Sequence, residues 1–371
     1  MKPFDVQFFQ AAILIASPLL FVALGELMSE VAGVINVGLE GIMLVGAFVG
    51  FWAGGEMGNL WFALLMGMLA GGFMSLIFGL ATIEARANQI VVGVAINILG
   101  AGLSIFAFQK YSNNLGSLFI GRMKRFDIPG LRSIPLVGPA LFEQIPLVYL
   151  SILMVPLTWL VYFKTRWGLR MRAAGELPEA AETAGARVRV LRWQGVLIGG
   201  VMAGLAGAFL SVGMVGTFLT GLTAGRGFLA LAAVIVGGWR PLGVAFAALF
   251  FGAADALQLR LQAESYVPRG VWIVLAGVVL LFLVQRIARQ RKQRRVGFAI
   301  GQATVTREMM FAIGLLIGAA VLATVQPHVS LPSQLWLALP FGLTIAALAG
   351  VIVHVRQPTN LGIPFVRGGS A

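Results

Sequence analysis

Lys164 to Gln194 reads KTRWGLRMRAAGELPEAAETAGARVRVLRWQ, with strongly apolar sequence on both sides. Seven basic residues (Lys164, Arg166, Arg170, Arg172, Arg187, Arg189 and Arg192) flank three acids (Glu176, Glu179 and Glu182) and a group of alanines. Such an isolated polar island, rich in small and helix-forming residues, is suited to touch something soluble. The rest of the chain is greasy. Of 371 residues, 59% are hydrophobic and 11% charged, against about 25% charged in a soluble domain. The bilayer is therefore the solvent this chain is written for.

A membrane helix needs roughly 20 apolar residues to cross about 30 Å of hydrocarbon. Working outward from the island, apolar segments fall at 11–28, 37–54, 60–83, 90–109, 146–163, 195–213, 228–239, 242–259, 271–285, 309–326 and 334–355. This predicts an all-α polytopic transmembrane bundle of about 10–11 spans, one membrane domain over 1–371. The segment 228–239 is short, which predicts a broken or re-entrant element sheltered by protein. The net charge of +13 sits largely in loops beside spans, where it sets topology, so a nucleic-acid partner is set aside. Cysteine is absent, which excludes disulfides and thiolate metal sites. MKPFDVQFFQ leads into a full span without a convincing cleavage site.

The basic island and a second run at Arg286–Arg295 both belong on the cytoplasmic side. Four crossings between them satisfy that, provided 228–239 crosses, and the count puts the N-terminus outside and the C-terminus inside. The loop 110–145, which holds Lys110, Arg122, Lys124, Arg125 and Arg132, then lies outside. It reads as an ordered connector or as a gate over a pathway.

Several polar residues interrupt apolar sequence. In SEVAGVINVGLEG (Ser29–Gly41), Glu26 just upstream, Glu30, Asn36 and Glu40 sit at or within a span, where carboxylates are costly and face a partner or an aqueous path. The stretch reads either as a discontinuous element lining a pathway or as an interfacial turn with Glu40 among headgroups. In ANQIVVGVAINILG (Ala87–Gly100), Gln89 and Asn97 share a helix face. They bind an uncharged polar solute, or they join neighbouring helices. LIGGVMAGLAGA (Leu197–Ala208) contains Gly200 and Gly204 in a close-packing spacing. In TAGRGFLALAAVIVGGW (Thr223–Trp239), Arg226 either holds a polar group or anchors at headgroups. In GAADALQLRLQ (Gly252–Gln262), Asp255 and Gln258 share a face, with Arg260 within reach of Asp255 through its long stem. His328 and His354 lack ligand spacing. No G-x-x-x-x-G-K-[ST] phosphate loop occurs, so energy from ATP must come from another polypeptide.

The strings SEVAGVINVGLEGIMLVGAFVG, ANQIVVGVAINILGAGL, GLRMRAAGELPEAAETAG and TAGRGFLALAAVIVGGWRPLGVAFAALFFGAADALQLRLQ resemble the permease subunits of bacterial ABC importers. The group is the branched-chain amino acid and simple-sugar permease superfamily, and within it the nucleoside-type permeases. The likeness covers about residues 10–262 in order and resumes at SQLWLALPFGLTIAALAG and TNLGIPFVRG. It implies a multi-pass protein of the bacterial inner membrane, without its own ATPase site. It also implies a second, related permease chain, ABC ATPase subunits carrying ATP and Mg, and an extracytoplasmic solute-binding lipoprotein.

The resemblance makes Gly175–Gly185 the coupling helix that seats in the ATPase. Gly175, Glu176, Pro178, Glu179, Ala180, Ala181, Glu182, Thr183 and Gly185 are the contact residues expected there. Pro178 suits a first helical turn and Gly185 a stop. The basic flanks suit membrane lipid headgroups. Asn36, Glu40, Gln89, Asn97, Arg226 and Asp255 are the candidates for the solute pathway. The solute expected is a nucleoside, with a simple sugar next. The rival class is an ion-coupled secondary transporter using Glu26, Glu40 and Asp255. Residues 263–331, with two further hydrophobic segments, depart from the family pattern and read as an insertion.

Overall fold

The structure, a computed structural model, describes residues 5–112, 121–127, 137–263, 336–351 and 356–366, with isolated positions between 272 and 324. The chain divides into two units. The larger comprises 9–255 and 340–371, and the smaller comprises 1–8 and 256–339. The expected spans at 271–285 and 309–326, and nearly all of 263–331, lie outside the described residues.

Helices account for most of the described chain. They are α1 (Val6–Val31), α2 (Leu39–Met57), α3 (Leu60–Gly79), α4 (Gln89–Ser112), α5 (Val137–Phe142), α6 (Pro146–Lys164), α7 (Arg166–Glu176), α8 (Pro178–Thr183), α9 (Val188–Ala208), α10 (Arg226–Val236), α11 (Pro241–Ala263) and α12 (Leu339–Val351). Wider π turns extend α3 through Leu80–Glu84 and α9 through Phe209–Val215. Seven helices among the described residues are long and apolar enough to cross a bilayer: α1, α2, α3, α4, α6, α9 and α11. The two-residue strands β1 (Phe126–Asp127) and β2 (Glu143–Gln144) pair antiparallel, Phe126 opposite Gln144. Gln144 Nε2 donates to the Gln10 carbonyl at 3.0 Å and Gln10 Nε2 to the Glu143 carbonyl at 2.9 Å, so this connector is tied to the start of α1.

The centre of the larger unit is α1, with 83% of its most apolar stretch buried, against 22% for α4. α9 packs beside it through Gly25, Gly195 and Gly199, and α2 and α3 pack in turn on α9 through glycines. A Cβ on Gly204 would fall on the Gly67 carbonyl and against Gly71, and one on Gly71 would fall on the Gly200 carbonyl. The G-x-x-x-G spacing therefore lets the α3 and α9 backbones touch, where dispersion rather than a hydrophobic drive holds helices in lipid. α3 turns Trp61, Leu65, Leu69, Phe73, Leu76 and Leu80 outward, the apolar face a lipid-facing helix presents.

The short apolar segment crosses as a composite. α9 with its π turn rises about 42 Å at 1.5 Å per residue, from the end that holds the polar island to the opposite end. Residues 216–225 return without helix, and α10 completes the passage. At its end, Trp239 Nε1 donates to Glu30 Oε2 at 2.5 Å, one residue before the terminus of α1. The non-helical stretch is held by Phe218, 1% exposed, which packs edge-on to Phe48 at 5.7 Å and lies 5.1 Å from Phe108. The ends of α1, α3 and α6 and the start of α9 therefore gather where the island lies, as the loop charges require.

Candidate functional site

Two helix interruptions face each other inside the larger unit. The first, residues 32–38, separates α1 from α2, and the polar residues singled out in the sequence hold its backbone open. Gln89 Oε1 accepts from the Ile35 N–H at 2.8 Å, and Glu26 Oε1 accepts from Asn36 N–H at 2.7 Å. Asn36 Oδ1 accepts from Gly38 N–H at 2.9 Å. Asn97 does double duty: its Oδ1 accepts from Gly41 N–H at 2.8 Å and its Nδ2 donates to the Val37 carbonyl at 2.9 Å. Unwound backbone within a membrane needs such partners for every N–H and C=O. Gly93, Gly100 and Gly41 let α4 approach closely enough to supply them.

The second interruption is 216–225, and Glu40 joins it to the first. Its carboxylate accepts from Thr223 Oγ1 at 2.5 Å, Gly225 N–H at 2.8 Å and Gly227 N–H at 2.7 Å. Gly225, the N-cap of α10, has φ +79° and offers no side chain of its own. Glu40 is thus a cap supplied by another helix, and a carboxylate at a helix N-terminus also meets the positive end of the peptide dipole. Glu40 is therefore engaged by protein donors from the second interruption. The next residue, Arg226, forms an ion pair with Asp255 on α11 at 3.3 Å, with side chains 17% and 15% exposed. Arg260 bonds Asp5 instead, so Asp255 takes its partner from α10 rather than from its own helix.

Below this clasp, Glu26 and Glu30, one helical turn apart on α1, are fully buried. Each has one oxygen occupied, by Asn36 N–H and by Trp239 Nε1, while among the described residues Glu26 Oε2 and Glu30 Oε1 have no partner. Asn36 Nδ2 is likewise without one.

The polar island folds as two helices, α7 and α8, separated by a break at Leu177. Thr165 caps α7 by accepting from Gly168 N–H at 3.0 Å, and Pro178 opens α8 at its first position. α8 buries Pro178 and Ala181 and exposes Glu179, Ala180 and Thr183, with Leu177 and Gly185 exposed on either side. Gly185 adopts φ +87° and stops the turn. Gly175 and Glu176 belong to α7, not to the exposed helix. A Cβ on Gly175 would strike the Val31 carbonyl. Glu176 Oε2 accepts from Thr359 Oγ1 at 2.8 Å, while Asn360 donates from its backbone to the Gly175 carbonyl (2.9 Å) and from Nδ2 to the Glu176 carbonyl (2.7 Å).

The same tail reaches the first interruption. Gly362 N–H donates to the Gly33 carbonyl at 3.1 Å, and the buried Arg192 donates from Nη1 to the Ile363 carbonyl at 2.8 Å and lies over the Phe365 ring. On the other side of the island Glu84 binds Arg189 and accepts from Trp193 Nε1 at 2.7 Å. Sequence reasoning counted Arg192 and Arg189 only as topology charges and headgroup anchors. Nothing in their local sequence distinguishes them from the other arginines of the island.

The family model for the permease component of the branched-chain amino acid transport system matches residues 9–284. The chain belongs to that permease family. The match takes in α1 to α11, both interruptions and the island. A nucleoside ABC transporter permease of Lactococcus lactis is 36% identical over 289 residues, covering 74% of this chain and 91% of the relative. A guanosine ABC transporter permease of Bacillus subtilis is 40% identical over 286 residues, 74% and 89% respectively. A putative glucose ABC transporter permease of Haloferax volcanii is 39% identical over 257 residues, 69% and 78%. No solved structure matches.

For this family member the structure therefore gathers Asn36, Glu40, Gln89 and Asn97 around one broken element. It places Arg226 and Asp255 beside that element as a pair, and sets Glu179, Ala180 and Thr183 apart on an exposed knob. Among the described residues no group of acids or histidines has the spacing to hold a metal.

Proposed function

We propose that this multi-pass membrane protein is the permease subunit of an ATP-driven importer for nucleosides in the bacterial inner membrane. The observation that carries the reading is the near-complete coverage of two nucleoside-type permeases at 36% and 40% identity. The island end faces the cytoplasm in this reading. There α8 presents a small, acidic, convex surface of the kind that seats in the groove of a soluble partner. That partner is an ABC ATPase pair, which supplies ATP and Mg. A second, related permease chain completes the pathway, and an extracytoplasmic lipoprotein delivers the solute.

In the proposed mechanism, motion of α8 passes through α7 and the tail to the stretch 32–38, and from there through Glu40 to α10. The interruptions are the elements that rearrange as the pathway opens to one side and then the other. Asn36, Gln89, Asn97 and Glu40 act chiefly by holding these bends. The Arg226–Asp255 pair supplies polarity beside them. A ribose and a base offer hydroxyls and amides to such an environment, and the glucose-type relative favours a simple sugar as the second reading.

The test is uptake of radiolabelled guanosine and of glucose in proteoliposomes containing this chain with its co-encoded subunits. Uptake of guanosine that requires ATP and the ATPase supports the proposal. Guanosine uptake by this chain alone on a proton gradient refutes it in favour of an ion-coupled carrier. ATP-dependent uptake of glucose but not guanosine selects the second reading.

A further inference from the structure

Three arginines from three separate elements converge on one hollow at the island end of the larger unit. Arg172 projects from α7, Arg240 from the turn between α10 and α11, and Arg356 from the segment leading into the tail. The hollow has a volume of about 720 Å³. Its walls include Val31, Tyr162 and Val236, residues from the last turns of membrane helices. Among the described residues no carboxylate pairs with any of the three guanidinium groups. The one acid in the lining, Glu176, is engaged by Thr359. Arg172 lies over the rings of Tyr162 and Phe163 at 5.0 and 5.4 Å, and its buried Nε lacks an acceptor. α11 begins at Pro241, so the positive end of that helix adds to the field beside Arg240.

Unpaired like charges do not gather without cost. Guanidinium groups are rigid forks matched to phosphate oxygens, and basic hollows between membrane helices are a known setting for anionic headgroups. The apolar walls at the depth of the helix ends suit the glycerol and upper chain of a lipid. We infer that this cavity binds a phosphate monoanion or diester, in the first instance the headgroup of an anionic lipid. Because Arg172 leads to α8 and Arg356 leads to the tail, an occupant here ties the moving loop to the bilayer. This inference stands on the cavity alone and does not need the transported solute to be a nucleoside.

The experiment measures lipid retained by the full-length chain, with whatever subunits co-purify. It uses native mass spectrometry and nanodiscs of phosphatidylcholine doped with graded cardiolipin or phosphatidylglycerol. Phosphatidylcholine discs with millimolar inorganic phosphate form a parallel arm. Arg240→Gln/Arg356→Gln removes two exposed charges and leaves the ring-stacked Arg172 in place, so folding is retained. Anionic-lipid affinity should fall about thirtyfold, equivalent to about 2 kcal/mol at 1.4 kcal/mol per tenfold. The control Arg166→Gln/Arg170→Gln, in a different hollow, should change it less than threefold.

Saturation of the wild type by inorganic phosphate, lost in the Arg240/Arg356 variant and without preference for anionic lipid, assigns the same site to a soluble phosphate compound. Equal lipid and phosphate binding by variant and wild type overturns the inference. So does displacement of both ligands by a stoichiometric acidic protein partner.

Discussion

Replacing Glu40 by alanine removes the acceptor of three hydrogen bonds at the start of α10 and leaves two backbone N–H groups without a partner. Hydrogen bonds to a charged group contribute about 1.5–3 kcal/mol each. Glu40 is only partly buried, so the low end applies, and the total is about 4 kcal/mol. Glu40→Gln keeps an amide oxygen but turns its NH₂ toward an N–H, losing one to two of the bonds at a cost of about 2 kcal/mol. Hydrogen exchange by mass spectrometry on the purified chain reads this locally. A loss of about 4 kcal/mol corresponds to several hundredfold in the opening equilibrium, confined to the peptide containing Thr223–Leu229. Exchange should rise in the order wild type, Gln, Ala, while the α3–α9 contact stays protected. If the Thr223–Leu229 amides exchange in Glu40→Ala as in the wild type, Glu40 does not hold them and the clasp between the interruptions is not real.

Gly204→Ala should lower the thermal midpoint and the yield of folded protein, at a cost of about 1–3 kcal/mol from overpacking. Gly102→Ala, with open space around it, should match the wild type in the same melt. Arg226→Gln should destabilise by about 3 kcal/mol by leaving Asp255 buried and unpaired, and Arg226→Gln/Asp255→Asn should recover part of it. A double-mutant cycle of denaturation midpoints checks the coupling. Glu179→Lys should abolish co-purification of the ATPase while the melting curve stays within about 0.5 kcal/mol of wild type, as for an exposed substitution. Asn360→Ala should cost about 1 kcal/mol, because it removes the side-chain bond to the Glu176 carbonyl and keeps the backbone bond to Gly175, and should speed proteolysis at the island.

The apolar segments marked the seven long helices to within a few residues at most ends. Hydrophobic length is a strong signal when the backbone must satisfy itself within the span. The shortness of 228–239 announced a broken span; α10 is its helical part, and the break lies before it at 216–225. The residues flagged as polar within spans did cluster in space. What the sequence leaves open is the direction in which each side chain points. Gln89 and Asn97 were equally suited to a solute and to a neighbouring backbone, because an amide presents the same groups to either. The geometry engages both with residues 35–41. Arg226 was assigned no partner from sequence, and Arg260 stood nearer to Asp255 along the chain. Only the packing of α10 against α11 separates the two. The bonds of Arg192, Glu176 and Asn360 join residues more than 170 positions apart, beyond the reach of any local pattern.

That separation carries a consequence for biosynthesis. Glu176 and its loop leave the ribosome 183 residues before Thr359, and chains fold from the N-terminal side as they are made. Until the tail arrives, the Gly175, Glu176 and Gly33 carbonyls lack the donors that later close on them, and Arg192 lacks the Ile363 carbonyl. The junction between the polar island and the first interruption is therefore sealed late. A nascent or truncated chain that lacks the tail leaves this junction unbraced.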